Sequence, residues 1–426
     1  MFKTQKLING LELITAPLTG TKTVTALIVF GAGSRYETKK NNGISHFLEH
    51  MFFKGTEKRP NTLAIAGELD SIGGEYNAWT DKEITGFWVK VEASQLSLAM
   101  EILSDIILNS LFPVKEIEQE KKVIIEEFNM RLDNPLFYID DLFEQCVYRD
   151  TAFGRDTIGS KKNIIGFKRN DYVNYFYSQY KTSNAVVCLS GKIPVNSAAL
   201  VKKFFQKMIK GQTKGCEAVV DQQQRPNVKL FFKKTDQAHL SLGARAYPFG
   251  HKREIALNIL AVLLGGTMSS RLFIELREKR GLAYYVRTQS EFYTDSGYLT
   301  TNAGVPLTKI EDAIKIILAE YKKLIVQPVA KNELIRIKQC IIGRTALQLE
   351  SSDDLAIWYA HQAITFKQQK SKQNILSPDD YYKKIRQVNA EEIMNVAREI
   401  FVENRLNLAV IGPFAGEEKI VKLLKF

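Results

Sequence analysis

His46-Phe47-Leu48-Glu49-His50 places two imidazoles and a carboxylate within five residues. On a helix over 44–53, Ile44, Phe47, Leu48, Met51 and Phe52 recur at helical spacing and form one apolar face. His46, Glu49 and His50 fall on the opposite face. Histidines at i and i+4 can converge on one ion. Zinc accepts such imidazoles, takes a further ligand that is often a carboxylate, and in reactive sites keeps a position open for water. The chemistry of such a centre is hydrolysis by an activated water. Gly55 is placed to end the helix in a left-handed cap.

The third ligand has to come from another element. A helix over 113–131 carries Ile117, Ile124 and Phe128 on its core stripe, with Glu120 and Glu127 seven apart along the edge of that stripe. A carboxylate drawn toward a core is costly unless paired or metal-bound. Glu127 is therefore a candidate ligand, and Glu120 a candidate partner for a ligand histidine. On the local pattern alone, the first helix could also present a solvated polar face, and the two glutamates could be surface charges.

The chain has 426 residues, 45% hydrophobic and 25% charged, which reads as a globular protein of about two domains or more. Cys146, Cys188, Cys216 and Cys340 are scattered without a C-x-x-C pair; buried free thiols are expected rather than a disulfide framework. No apolar run approaches the length of a membrane span. Residues 1–15 lack the apolar region of a signal peptide and the Arg- and Ser-rich pattern of a transit peptide. A cytoplasmic protein, or a mature chain already trimmed, fits both. The net charge of +12 is uneven: 27 Lys+Arg against 24 Asp+Glu over residues 1–210, and 32 against 23 over the remainder. These basic residues are dispersed and no nucleic-acid motif stands out, so no nucleic-acid partner is expected.

A weak internal repeat organises the chain. Gly67-Glu68-Leu69 through Gly74 and Tyr76-Asn77 resembles Ile274-Glu275-Leu276 through Gly281 and Ala283-Tyr284. Pro113-Val114 with Ile124-Ile125 resembles Pro328-Val329 with Ile341-Ile342, and residues 186–191 resemble 408–412. The common order predicts a duplicated domain: 1–210, a polar linker over 211–227, and 228–426. Strands are predicted at 23–30, 75–79, 84–91 and 185–189, and helices at 94–109, 113–131 and 136–149. The second half repeats the order, with strands near 240–246, 284–288 and 298–303 and helices from 307 to about 359. Strand groups followed by helix groups indicate an α+β fold with two homologous domains, each an antiparallel-rich sheet packed with helices.

With these residues in view, His46 to His50 resembles the inverted zinc motif of the pitrilysin/insulinase family, the inverzincins. That family takes its third ligand 77 positions after the second histidine, which is Glu127 here, and has a further glutamate seven before it, which is Glu120. Residues 47–55, Asn77-Ala78-Trp79-Thr80 and 121–127 are similar to the family as well, notably to its members of about 400 residues such as the mitochondrial processing peptidase β subunit. The resemblance spans nearly the whole chain. It implies a zinc endopeptidase in which His46, His50 and Glu127 hold Zn²⁺, Glu49 is the general base, and Asn77, Ala78 and Trp79 bind substrate backbone. It implies two domains forming half of a clamshell, closed around a chamber as a homodimer or with a homologous subunit, acting on extended peptides.

Opposite Glu127 the repeat places Arg344, so no second metal site is expected. Leu276-Arg277-Glu278-Lys279-Arg280-Gly281-Leu282-Ala283-Tyr284 is similar to the family segment that supplies an arginine and a tyrosine to the reaction. Arg277 and Tyr284 match that pair, for a substrate carbonyl and the developing oxyanion. Apart from the resemblance, Tyr284 reads as a core strand aromatic and Arg277 as a surface charge. His239, His251 and His361 have no metal spacing and read as structural. The rival to an enzyme is a non-catalytic partner or scaffold subunit on the same fold, of which the family has examples that lose parts of the motif.

Overall fold

A computed structural model describes residues 2–426. The first sheet contains β1 (Lys3–Lys6), β2 (Glu12–Pro17), β3 (Thr23–Phe30), β4 (Glu75–Thr80), β5 (Thr85–Glu92) and β6 (Ala185–Gly191), in the order β1-β2-β6-β3-β5-β4. The second contains β7 (Asn227–Phe232), β8 (Gln237–Ala246), β9 (Tyr285–Phe292), β10 (Gly297–Pro306) and β11 (Leu406–Gly412), in the order β7-β11-β8-β10-β9. β2 pairs parallel with β6, and β7 parallel with β11; every other neighbouring pair is antiparallel. Without β1 the two sheets are wired identically, which is the duplication read from the repeat.

β3 shows why its sequence is apolar from Ala26 to Phe30 rather than alternating. Val24, Ala26, Ile28 and Phe30 pack into a core that includes Phe47, Leu48 and Met51. Leu27 and Val29 face the other way and meet Leu355, Ala356, Tyr359 and Ala363 of the helix Ser352–Gln368. A strand covered on both faces has no polar side to show.

The compact units do not follow sequence order. One runs up to Asn129 and adds Arg155–Glu217 and Ala346–Ser377. The other comprises Met130–Gly154, Ala218–Thr345 and Pro378–Phe426. Each sheet is thus covered on one face by a helix from the other half of the chain: Ser352–Gln368 on the first, and Pro135–Tyr148 on the second, where Ile139, Leu142 and Phe143 meet Tyr298, Ala409 and Ile411. The basic excess, uneven between sequence halves, is even between units, with 29 Lys+Arg against 23 Asp+Glu in the first and 30 against 24 in the second.

Two local expectations change, at Gly55 and at the cysteines. The histidine helix is Ile44–Met51, and Gly55 does not cap it: at φ +132° it lets the chain pass Pro60, whose carbonyl oxygen would stand 2.6 Å from a Cβ there. The polar segment 211–227 has no helix or strand until Asn227 opens β7. All four cysteines are free, but only Cys146 and Cys188 are buried; Cys216 and Cys340 are half-buried. Among the described residues no helix is long and apolar enough to cross a membrane.

Candidate metal centre

The histidine helix has only eight residues, too few to persist alone. Phe47, Leu48 and Met51 are fully buried and fix its inner face. Its first turn is satisfied from upstream. The buried Glu37 carboxylate accepts from Gly43 N–H at 2.7 Å, Ser45 N–H at 2.8 Å and Asn42 Nδ2 at 2.9 Å. A carboxylate at a helix N-terminus meets both the orphan donors and the dipole. Burial nevertheless raises the Glu37 pKa, against those hydrogen bonds. Ser45 Oγ adds a 2.6 Å hydrogen bond with Tyr175 Oη. Gly43 has φ +100°, and a Cβ on it would lie 2.6 Å from Ile158 O.

His46, Glu49 and His50 project from the half-buried face. The helix Val114–Asp133 brings two glutamates to them. His46 Nε2 lies 3.4 Å from Glu127 Oε1, and His50 Nε2 lies 3.7 Å from Glu127 Oε2. One ligand atom from each of the three residues can be chosen so that all lie within 4.8 Å of one another. Glu120 Oε1 stands 2.8 Å from His50 Nδ1, while Lys54 Nζ holds its other oxygen at 2.5 Å. Glu49 Oε2 accepts from Thr80 Oγ1 at 2.8 Å.

The donor set fits a small divalent cation. Ligands about 2.0–2.1 Å from a tetrahedral ion stand roughly 3.3–3.4 Å from one another. The two His–Glu127 separations are near that edge and long for good hydrogen bonds. Two imidazoles and a carboxylate are the donors zinc takes. The local field also favours a cation. Burial acts to lower the His50 pKa, yet the hydrogen bond with Glu120 and the charges of Glu49, Glu120 and Glu127 together raise it. Burial likewise opposes the ionised form of Glu120, but His50 and Lys54 hold its pKa below the ordinary value. His46 differs from His50: its Nδ1 is buried with no hydrogen-bond partner among the described residues.

Asn77, Ala78 and Trp79 lie on β4, the edge strand of the same sheet. Arg277 and Tyr284 belong to the second unit and are neighbours there. Arg277 sits in a single π-helical turn, Phe273–Glu278, with its guanidinium 5.1 Å from the Phe273 ring and 5.9 Å from the Tyr284 ring. Tyr284 precedes β9 and is 75% exposed, so it is not a core aromatic. Arg344 donates to Gly266 O at 2.7 Å. Three supporting residues were given no role by sequence reasoning, although Lys54 and Thr80 lie in segments that carry the resemblance: Glu37, Lys54 and Thr80. Lys54 stands four after His50, a spacing that could have flagged it; the other two are joined to the site only through space.

Residues 13–161 match the family model described as insulinase, peptidase family M16. Residues 166–340 match that described as the peptidase M16 inactive domain. A protein of Bacillus subtilis (strain 168), named an uncharacterized zinc protease, is 32% identical over 417 residues, covering 97% of this chain and 98% of that one. A protein of Rickettsia felis with the same description is 31% identical over 420 residues, covering 97% and 98%. The crystal structure of a protease from Helicobacter pylori superposes with a TM-score of 0.90 at 25% identity, over 97% of this chain and 99% of that one. With its motif-bearing first half and its second half each matched, this chain belongs to the insulinase family, peptidase family M16.

Proposed function

We propose that the protein is a zinc-dependent endopeptidase that cleaves extended oligopeptides or unstructured protein segments. The observation that carries this reading is the convergence of His46, His50 and Glu127 beside a glutamate, Glu49, on the same helix face. Those three residues would hold the ion, which when bound supplies Lewis acidity to polarise a peptide carbonyl and to make water more acidic. Glu120 orients the His50 ring from behind. Glu49 takes the proton from the attacking water and returns it to the leaving amine nitrogen. β4 has one free edge, where an extended peptide can add as a strand at Asn77, Ala78 and Trp79; such pairing suits unfolded segments. The family resemblance assigns Arg277 to a substrate carbonyl and the Tyr284 hydroxyl to the developing oxyanion.

The two-domain division by sequence, from the internal repeat, a cytoplasmic location, from the composition of residues 1–15, and assembly as a homodimer or with a homologous subunit around a chamber, from the resemblance, belong to the same proposal. The relatives of Bacillus subtilis and Rickettsia felis, both named zinc proteases, support zinc and proteolysis. Glu49→Gln is the decisive variant. It should retain zinc by metal analysis and lose hydrolysis of a quenched peptide library by at least about 100-fold, the lower end of what a positioned base contributes. Parental turnover in that variant sinks the mechanism. A zinc-loaded parent with no turnover on any library favours a non-catalytic subunit instead.

A further inference from the structure

Among the described residues the Glu49 carboxylate accepts one hydrogen bond, from Thr80 Oγ1 to its Oε2. Its Oε1 accepts none and stays available to a substrate water. Thr80 ends β4 and pairs across the hairpin with Thr85. Thr85 is fully buried; its hydroxyl donates to Ala32 O at 3.0 Å and stands 3.5 Å from that of Thr80. A β-branched side chain in a strand has few χ1 choices. The donor that reaches Glu49 is therefore tied to the sheet rather than to a mobile surface rotor.

The main chain of the same residue faces the open edge. Asp81 N–H donates to Ile84 O at 2.8 Å, and this sets the phase of the β4–β5 ladder, because hydrogen-bonded and non-hydrogen-bonded pairs alternate. Trp79, Asn77 and Glu75 bond to β5; Thr80, Ala78 and Tyr76 turn N–H and C=O outward. Ala78 agrees with this phase, since its N–H is taken by the Asn77 Oδ1 at 2.8 Å. Tyr76 and Ala78 pack on the core face that the histidine helix shares, which is the face from which Thr80 reaches Glu49.

We infer that Thr80 is a positioning residue: its hydroxyl aims the Glu49 carboxylate while its main chain joins the edge to which an extended peptide adds. Docking and proton transfer are thereby registered through one residue. The inference rests on Glu49 being the general base.

Thr80→Val removes the donor and keeps the branched shape; Thr80→Ser keeps the donor. In Thr80→Val, kcat should fall about 10–100-fold, part of the ~10²–10⁴ carried by a positioned base, with KM changed by less than about twofold. Thr80→Ser should restore kcat to within about threefold. Two readouts stand apart from turnover. Zinc stoichiometry should equal that of the parent in both variants, and an extended peptide should bind Glu49→Gln with the same Kd whether or not Thr80→Val is present. Parental kcat in Thr80→Val, a Thr80→Ser enzyme as slow as Thr80→Val, or a weakened Kd in the double variant each overturns the inference. Should Thr80→Val fail to fold, Thr80→Ala carries the same comparison. If Glu49→Gln turns over like the parent, the peptidase reading falls and takes this inference with it. If Glu49→Gln is dead while Thr80→Val is normal, this inference falls alone.

Discussion

His50 is held at both ring nitrogens, with Glu127 near Nε2 and Glu120 on Nδ1. A carboxylate behind a ligand imidazole fixes its tautomer and raises its basicity. Glu120→Gln keeps the size but removes the charge and the pairing with Lys54. It should weaken zinc binding about 10–100-fold, the usual effect of losing such a partner, as measured by competition with a chelator of known affinity. Unchanged affinity would reduce Glu120 to a structural salt bridge with Lys54. Residues of this kind were legible in the sequence because helical spacing places them: His46 and His50 are one turn apart, and Glu120 and Glu127 two turns. Glu37 and Thr80 were not. Each reaches the histidine helix from a neighbouring segment, so no local period marks it. Nor does spacing distinguish His46, with its orphaned Nδ1, from His50.

Helix ends show how local carboxylates cost or contribute stability. The helix Glu254–Gly265 runs through the second core, with Leu257, Leu260 and Leu264 fully buried. Glu254 at its start accepts from Gly250 N–H at 2.5 Å, yet burial pushes its pKa up to about 7. A folded-state pKa above the unfolded value means that the native state binds the extra proton. The protein therefore loses stability as pH rises from about 4.5 to 7, and the cost is fully present above that window. Glu254→Gln should flatten this slope and be more stable than the parent at pH 8 by about 2 kcal/mol, allowing for partial exposure of the group. At pH 4 the two should be equal. Urea unfolding followed by far-UV circular dichroism at both pH values checks it; equal stability at pH 8 removes Glu254 as the cause. Element positions themselves were largely legible. The predicted strand at 23–30 is β3 to the residue. The helices read from 307 to about 359 are three, Ile310–Val326, Lys331–Gln348 and Ser352–Gln368. The first break falls at Pro328, which lacks the N–H an interior helical turn needs.

The duplication was legible across the whole chain, because a repeated order of motifs survives loop insertions. The exchange of helices was not, because an amphipathic pattern says that a helix must be covered without saying by which sheet. That exchange has a measurable consequence. Residues 1–217 contain every strand of the first sheet and all the proposed metal ligands, but they lack Ser352–Gln368. One face of that sheet, with Ile14, Leu27, Val29 and Val186, then loses its cover of Leu355, Tyr359 and Ile364. Each large apolar side chain so exposed costs about 1.5–3 kcal/mol, and their sum is comparable to the roughly 5–15 kcal/mol by which a domain is stable. The lost hydrogen bond of Thr25 with Ser352 at 2.8 Å and the Lys90–Asp353 ion pair at 3.1 Å add to it. The fragment 1–217 should therefore aggregate or melt without cooperativity, and supplying residues 346–377 should restore a soluble, cooperative fold. Trp79 and Trp88 pack against the uncovered core, and all three tryptophans, Trp358 included, lie in this unit. Their emission should shift to the red in the fragment and return to the blue on adding 346–377. A soluble fragment 1–217 with a cooperative melt and native emission would show that the sheet needs no helix from the second half.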